Sequence, residues 1–169
     1  MTNSQLNPQI ISLEANQWQE YKKLRTEMIS ADYNLFGWSI EETLALSDQD
    51  WQQKSKNNYK RYATIDNQII GMIQLWLNTK IKTRHIATIG SVYVQPQYRG
   101  RGIAKLLLED LENYAKTQGV EILSLTVAKD YASAVNAYQK FGFIKVGDLP
   151  KSLKYKNVYY DEIQMQKEI

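Results

Sequence analysis

Between Val92 and Leu111 the chain reads VYVQPQYRGRGIAKLLLEDL. An alternating β-branched and aromatic run stops at Pro96, two glycines and two arginines follow, and an amphipathic helical pattern begins at once. A glycine-containing loop that opens a helix is suited to anions. The first-turn N–H groups have no intrahelical acceptor, and the aligned peptide dipoles place partial positive charge there. Gly100 and Gly102 let the backbone approach a phosphate closely, and Arg99 and Arg101 add charge and forked donors. The stretch therefore predicts a strand, a diphosphate cradle and a helix. Two phosphate fingerprints do not fit it. GxxxxGK followed by Ser or Thr is absent, and a GxGxxG turn would need a third glycine where Lys105 stands. For the loop alone, a plain solvated turn is the competing reading. Repeated arginine-glycine tracts bind RNA, but here RGRG occurs once, between ordered-looking elements.

A second constellation lies downstream. Glu121 to Val127, EILSLTV, reads as a buried strand. Asp130 can cap a helix running to about Lys140, Gly142 suits a left-handed helix end, and FIKVG from Phe143 reads as the next strand. Spacings of three, four and seven put Tyr131, Ala134, Val135 and Tyr138 on one helix face.

Together these motifs resemble the GCN5-related N-acetyltransferase (GNAT) superfamily. Arg99 to Ala104 matches its Q/R-x-x-G-x-G/A acyl-CoA signature, preceded by the V-x-V-x-P of Val92, Val94 and Pro96. AVNAYQKFGF, Ala134 to Phe143, is similar to its A-x-x-x-Y-x-K-x-G-F element, at the right separation. The resemblance implies acetyl-CoA as co-substrate and direct attack of a primary amine on the thioester through a tetrahedral intermediate. It implies that backbone groups of Val92, Tyr93 and Val94 orient the acyl carbonyl. Arg99, Gly100, Arg101, Gly102, Ile103, Ala104 and Lys105 would hold the diphosphate. Tyr138 would be the general acid, since a phenol of pKa about 10 is protonated at neutral pH and can protonate the departing thiolate. An ordinary half-buried aromatic is the competing reading of that residue.

The chain departs from the family at two places. Where the family usually has an asparagine seven residues before the tyrosine, this chain has Tyr131, which can reach the CoA only by its hydroxyl or by stacking. Where some relatives carry a glutamate base, it has Thr126. The base is thus open among Asp32, Glu41, Glu42, Asp161 and Glu162. In the superfamily the acceptor approaches beside the connection between the first two helices, here SADYNLFGWS. Tyr33, Phe36 and Trp38 of that segment, with Trp76 and Tyr160, are candidate acceptor-site residues, able to hold an apolar side chain or a cation. The alternative to an enzyme is a non-catalytic acyl-CoA-binding module.

Composition narrows the classes further. One hundred and sixty-nine residues suit one domain, residues 1–169. There is no cysteine, so disulfides, a thiol nucleophile and cysteine metal sites are excluded, and His85 is the only histidine. No metal site is expected. The longest apolar run, Ile69 to Leu77, is far short of the roughly 20 residues that span a bilayer. The N-terminus lacks the basic and apolar regions of a signal peptide. A cytoplasmic protein without membrane or nucleic-acid partners is expected, and analogy allows a homodimer. The net charge of +3 is small, and no basic face accompanies the loop.

The positioning elements follow from periodicity. Gln9–Leu13 reads as a strand, Gln17–Ile29 as a helix with Trp18, Tyr21, Leu24 and Met28 at helical spacing, and Ser39–Lys54 as a helix opened by a Ser39/Glu42 capping box. Tyr59–Ile65 and Ile69–Leu77 form a hairpin, and Ile86–Val94 is the next strand, antiparallel to it. In the following helix Ile103, Leu106, Leu107, Leu111 and Tyr114 give the core stripe. Lys151–Lys156 reads as a hairpin connection, and Lys154–Met165 as the closing strand. The expected fold is a mixed α/β domain of α+β type, GNAT-like. It has a central, mostly antiparallel sheet of about seven strands with about four helices.

Overall fold

A computed structural model describes residues 7–169. One seven-stranded sheet runs in the order β1-β2-β3-β4-β5-β7-β6. The strands are β1 Gln9–Ile11, β2 Tyr59–Ile65, β3 Gln68–Leu77, β4 Ile86–Val94, β5 Ile122–Ala128, β6 Ile144–Tyr155 and β7 Val158–Glu168. All pairings are antiparallel except β4 with β5. Among the described residues five α-helices accompany the sheet: α1 Trp18–Ala31, α2 Ile40–Leu44, α3 Asp48–Lys56, α4 Ile103–Thr117 and α5 Ala132–Lys140. Among the described residues no helix is long and apolar enough to cross a membrane.

Between β2 and β4 the sheet is covered on both faces, and the period-2 alternation of its strands decides which face each residue serves. Ala63, Ile73, Leu75, Ile89 and Val94 pack with Ile103, Leu107 and Leu111 of α4. Their neighbours Tyr62, Met72 and Tyr93 pack with Tyr21, Leu24 and Met28 of α1 and with Trp51 of α3.

Several boundaries differ from the sequence expectation. The second helix is two: α2 ends near Ala45, and Ser47 starts α3 with a second capping box closed by Asp50. Leu106 is exposed and Leu108 is buried, so the α4 stripe is Ile103, Leu107, Leu108, Leu111 and Ala115. Tyr131, not Asp130, precedes α5. The segment from Lys151 lies within β6, and the connection to β7 is Lys156–Asn157, both with positive φ. The predicted closing strand therefore straddles that turn.

Candidate active site

Strands β4 and β5 are hydrogen-bonded only at their start, where Ile86, Ala87 and Thr88 pair with Ile122, Leu123 and Ser124. Beyond Thr88 they part, and a cleft of about 920 Å³ opens between them, a size suited to a large ligand. Because the pair is parallel, α4 follows one wall and α5 the other, so both helix starts face the carboxyl ends of the strands. β4 bends there. Met72 pairs with Tyr93 and Gln74 with Gly90, and the register shifts between them at Ser91, whose φ is 52°. Such a bulge re-aims the strand. It puts Ser91 and Val92 on the cleft wall, with Val94 beyond.

The loop after β4 has the geometry of a cradle. Gly100 and Gly102 have φ of 74° and 80°, and Gly102 sits at the N-cap of α4. The first α4 amide with a backbone acceptor is that of Leu106, bonded to Gly102. Among the described residues, the amides from Gly100 to Lys105 have no protein acceptor. Gly100, Gly102, Ile103, Ala104 and Lys105 all line the cleft. These orphan donors at a positive helix end, beside an opening of this size, fit a diphosphate with an extended arm. The two arginines divide. Arg99 bonds the Val94 carbonyl at 2.8 Å and Asp32 at 2.6 Å, so it ties the loop to α1. Arg101 is exposed and is not among the lining residues. Tyr93 also faces away: its hydroxyl donates to Glu27 at 2.9 Å.

On the opposite wall Thr126, Tyr131, Ala134 and Tyr138 line the cleft. Tyr138 packs edge-on against Phe143, with ring centroids 5.8 Å apart. Desolvation raises its phenol pKa above the usual value, and the neighbouring Tyr131 phenol adds to the rise. A group so placed stays protonated across the physiological range.

The acids left open by the sequence now separate. Asp32 is paired with Arg99, Glu42 closes the α2 capping box, Glu41 accepts from Tyr155, and Asp161 accepts from the Lys151 amide. Glu162 is the carboxylate that lines the cleft; its side chain accepts from Ser152. The aromatics separate too. Phe36, Trp38 and Trp76 line the cleft. Trp38 carries Lys54 Nζ 4.4 Å from its ring centroid, and Trp76 covers Gly90. Tyr33 is half-exposed against Tyr155, and Tyr160 lies opposite Leu153; neither lines the cleft.

Two lining residues, Arg25 and Ser91, are not signalled by the sequence. Arg25 of α1 reaches the β4 bulge and donates to Ser91 Oγ. Burial lowers the pKa of this guanidinium, opposed by Tyr21. The contact joins residues 66 apart in the chain, and no local pattern announces it.

A model described as the acetyltransferase (GNAT) family matches residues 18–143. An uncharacterised N-acetyltransferase of Methanocaldococcus jannaschii is 35% identical over 68 residues, 40% of this chain and 30% of that protein. The chain thus spans under a third of that relative's length. The L-amino acid N-acetyltransferase AaaT of Escherichia coli is 26% identical over 126 residues, 70% of this chain and 75% of that one. Among solved structures, Salmonella typhimurium yncA with its cofactor acetyl-CoA superposes with a TM-score of 0.76. It is 15% identical and covers 96% of this chain and 94% of that chain.

Proposed function

The chain belongs to the acetyltransferase (GNAT) family, and we propose that it transfers the acetyl group of acetyl-CoA to a primary amine of a small molecule or peptide. The observation that carries this reading is the parting of β4 and β5, which brings a run of orphan amides and a protonated phenol to one cleft. The amides from Gly100 to Lys105 hold the diphosphate. The bulge at Ser91 turns the backbone around Val92 toward the acyl carbonyl, where a fixed N–H stabilises developing negative charge. Acetyl-CoA supplies the activated acyl group.

An amine of ordinary pKa is mostly protonated at neutral pH and must lose a proton before attack. Glu162 takes that role, directly or through water, because it is the acid on the cleft wall. Tyr138 protonates the leaving sulfur and regains a proton, through water, from the positively charged nitrogen of the tetrahedral intermediate, while Glu162 passes the first amine proton to solvent; the proton count then closes without a covalent enzyme intermediate. Phe36, Trp38 and Trp76 form the acceptor's apolar walls.

The test is calorimetric titration of acetyl-CoA, followed by mass-spectrometric detection of acetylated product from a panel of amino acids, polyamines and peptides. One-to-one binding with amine acetylation is expected. Binding without acetylation of any amine would leave an acyl-CoA-binding module, and absence of binding would overturn both.

A further inference from the structure

Arg25 stands apart from the other arginines that bond within the protein. Arg61 is bidentate to Asp110, with contacts of 2.8 and 3.1 Å, and Arg99 is paired with Asp32. Arg25 is half-buried, yet no carboxylate among the described residues lies within 4.0 Å of it. Glu27, two residues along, commits its oxygens to Tyr93 and Gln95, each at 2.9 Å. Among the described residues, the side-chain partner of Arg25 is the neutral Ser91 hydroxyl, whose own proton points to Gln74 Oε1 at 3.4 Å.

A half-buried guanidinium without a counter-charge gains when an anion arrives to pair with it. Among the described residues, the one side-chain polar atom sealed in without a partner is Trp51 Nε1. The remaining donors of Arg25 therefore reach open space, and the open space beside it is the cleft. A guanidinium presents forked donors that match a carboxylate. Its position matters as much as its charge. Arg25 is anchored on Ser91, the residue before Val92, where the acyl carbonyl is oriented under the reading above. An anion held there sits within a few bonds of the attacking nitrogen. Glu162, Phe36 and Trp76 line the same cleft, which thus offers a carboxylate for an amine and apolar surface for a side chain.

We propose that Arg25, braced by Ser91, binds an anionic group of the acceptor, and that the acceptor is a free α-amino acid with an apolar side chain. The inference rests on the acetyltransferase reading and narrows it. A peptide N-terminus has an amide at the matching position and leaves Arg25 unpaired; a polyamine brings further positive charge toward it.

The test compares L-methionine, L-phenylalanine and L-tryptophan with their carboxamides, which keep amine and side chain and remove the charge. For the unaltered protein, kcat/KM is expected to favour the acids by roughly 10- to 100-fold, as loss of a charge-assisted pair implies. In Arg25→Met that ratio is expected to fall toward one, through a raised KM for the acids. Arg25→Lys is expected to keep part of the preference. Acetyl-CoA affinity by calorimetry and the melting temperature report whether each variant is folded. Should Arg25→Met fail to fold, the acid-to-amide ratio of the unaltered protein decides. A ratio of one or below, a ratio unchanged in folded Arg25→Met, or turnover confined to polyamines or peptides would overturn the proposal and leave the acetyltransferase reading standing. Failure to acetylate any amine would overturn both.

Discussion

In the reaction proposed above Tyr138 and Glu162 divide the proton chemistry, and their environments make separate claims. Burial raises the Tyr138 pKa, and a general acid works while protonated, so a raised pKa widens its working range on the alkaline side. The kcat profile is therefore expected to show no fall from this group between pH 7 and about 10. Tyr138→Phe is expected to lower kcat by roughly 10²- to 10⁴-fold with acetyl-CoA affinity nearly unchanged; steady-state kinetics beside calorimetry checks this. Unchanged turnover would remove Tyr138 from the reaction. Glu162→Gln is expected to slow turnover most at neutral pH and least at high pH, where the amine is already neutral. A deficit independent of pH would assign Glu162 to binding instead. Tyr138 is legible in the sequence because its motif is local. Glu162 cannot be singled out from five acids until the pairing of β7 with β5 sets it on the cleft wall. Arg25 and Ser91 are invisible for the same reason, since their meeting depends on a bulge that no residue type announces.

At the scale of elements, the cleft depends on backbone conformations that few side chains tolerate. Gly102 has φ of 80°, and a Cβ added to it would have no atom within 4 Å, so Gly102→Ala meets strain but no clash. It is expected to cost roughly 1–2 kcal/mol and to weaken acetyl-CoA binding, because the orphan amides lose their aim. Gly90→Ala is different in kind: a Cβ there would stand 2.7 Å from the Trp76 ring. It is expected to displace that ring and change acceptor selectivity while acetyl-CoA affinity holds; kinetics over the amine panel reads both.

Lys60 closes the end of α3, donating to the carbonyls of Lys54, Ser55 and Asn57. Burial pulls its pKa down to about 8. Its folded pKa lies below the unfolded value, so unfolding takes up a proton between about 8 and 10.5, and in that window this group makes stability rise with pH. Urea unfolding of the unaltered protein and of Lys60→Met at pH 8 and 10 should differ by that slope. Parallel slopes would contradict it. Most elements can be read from periodicity, but the expected single helix from Ser39 to Lys54 passes over a break between α2 and α3. Ser47 and Asp50 repeat the Ser39 and Glu42 signal there, so the cap was on view within the chain. The expected α4 stripe differs at two positions, Leu106 where Leu108 is buried and Tyr114 where Ala115 is; Leu106, Leu107 and Leu108 are chemically alike, and only the packed sheet distinguishes them.

Across the whole molecule, the two cores meet at a sheet that splits between β4 and β5, and in the proposed reaction the donor and acceptor arms enter that split. The order of strands and helices is legible because two spaced motifs bracket β4, α4, β5 and α5. The depth of the cleft is not, since it arises where pairing stops. A ligand that bridges α4 to α5 is expected to stabilise the fold as a unit. At 100 times its Kd, acetyl-CoA should add about 2.7 kcal/mol, a rise in melting temperature of roughly 5–10 °C for a chain of this size. The central claim is tested most directly by release of CoA thiol from acetyl-CoA, followed with and without amine, in the unaltered protein and in Tyr138→Phe. Amine-dependent release is expected, lost in the variant while it still binds acetyl-CoA. Release independent of amine, or none with any amine, would contradict it.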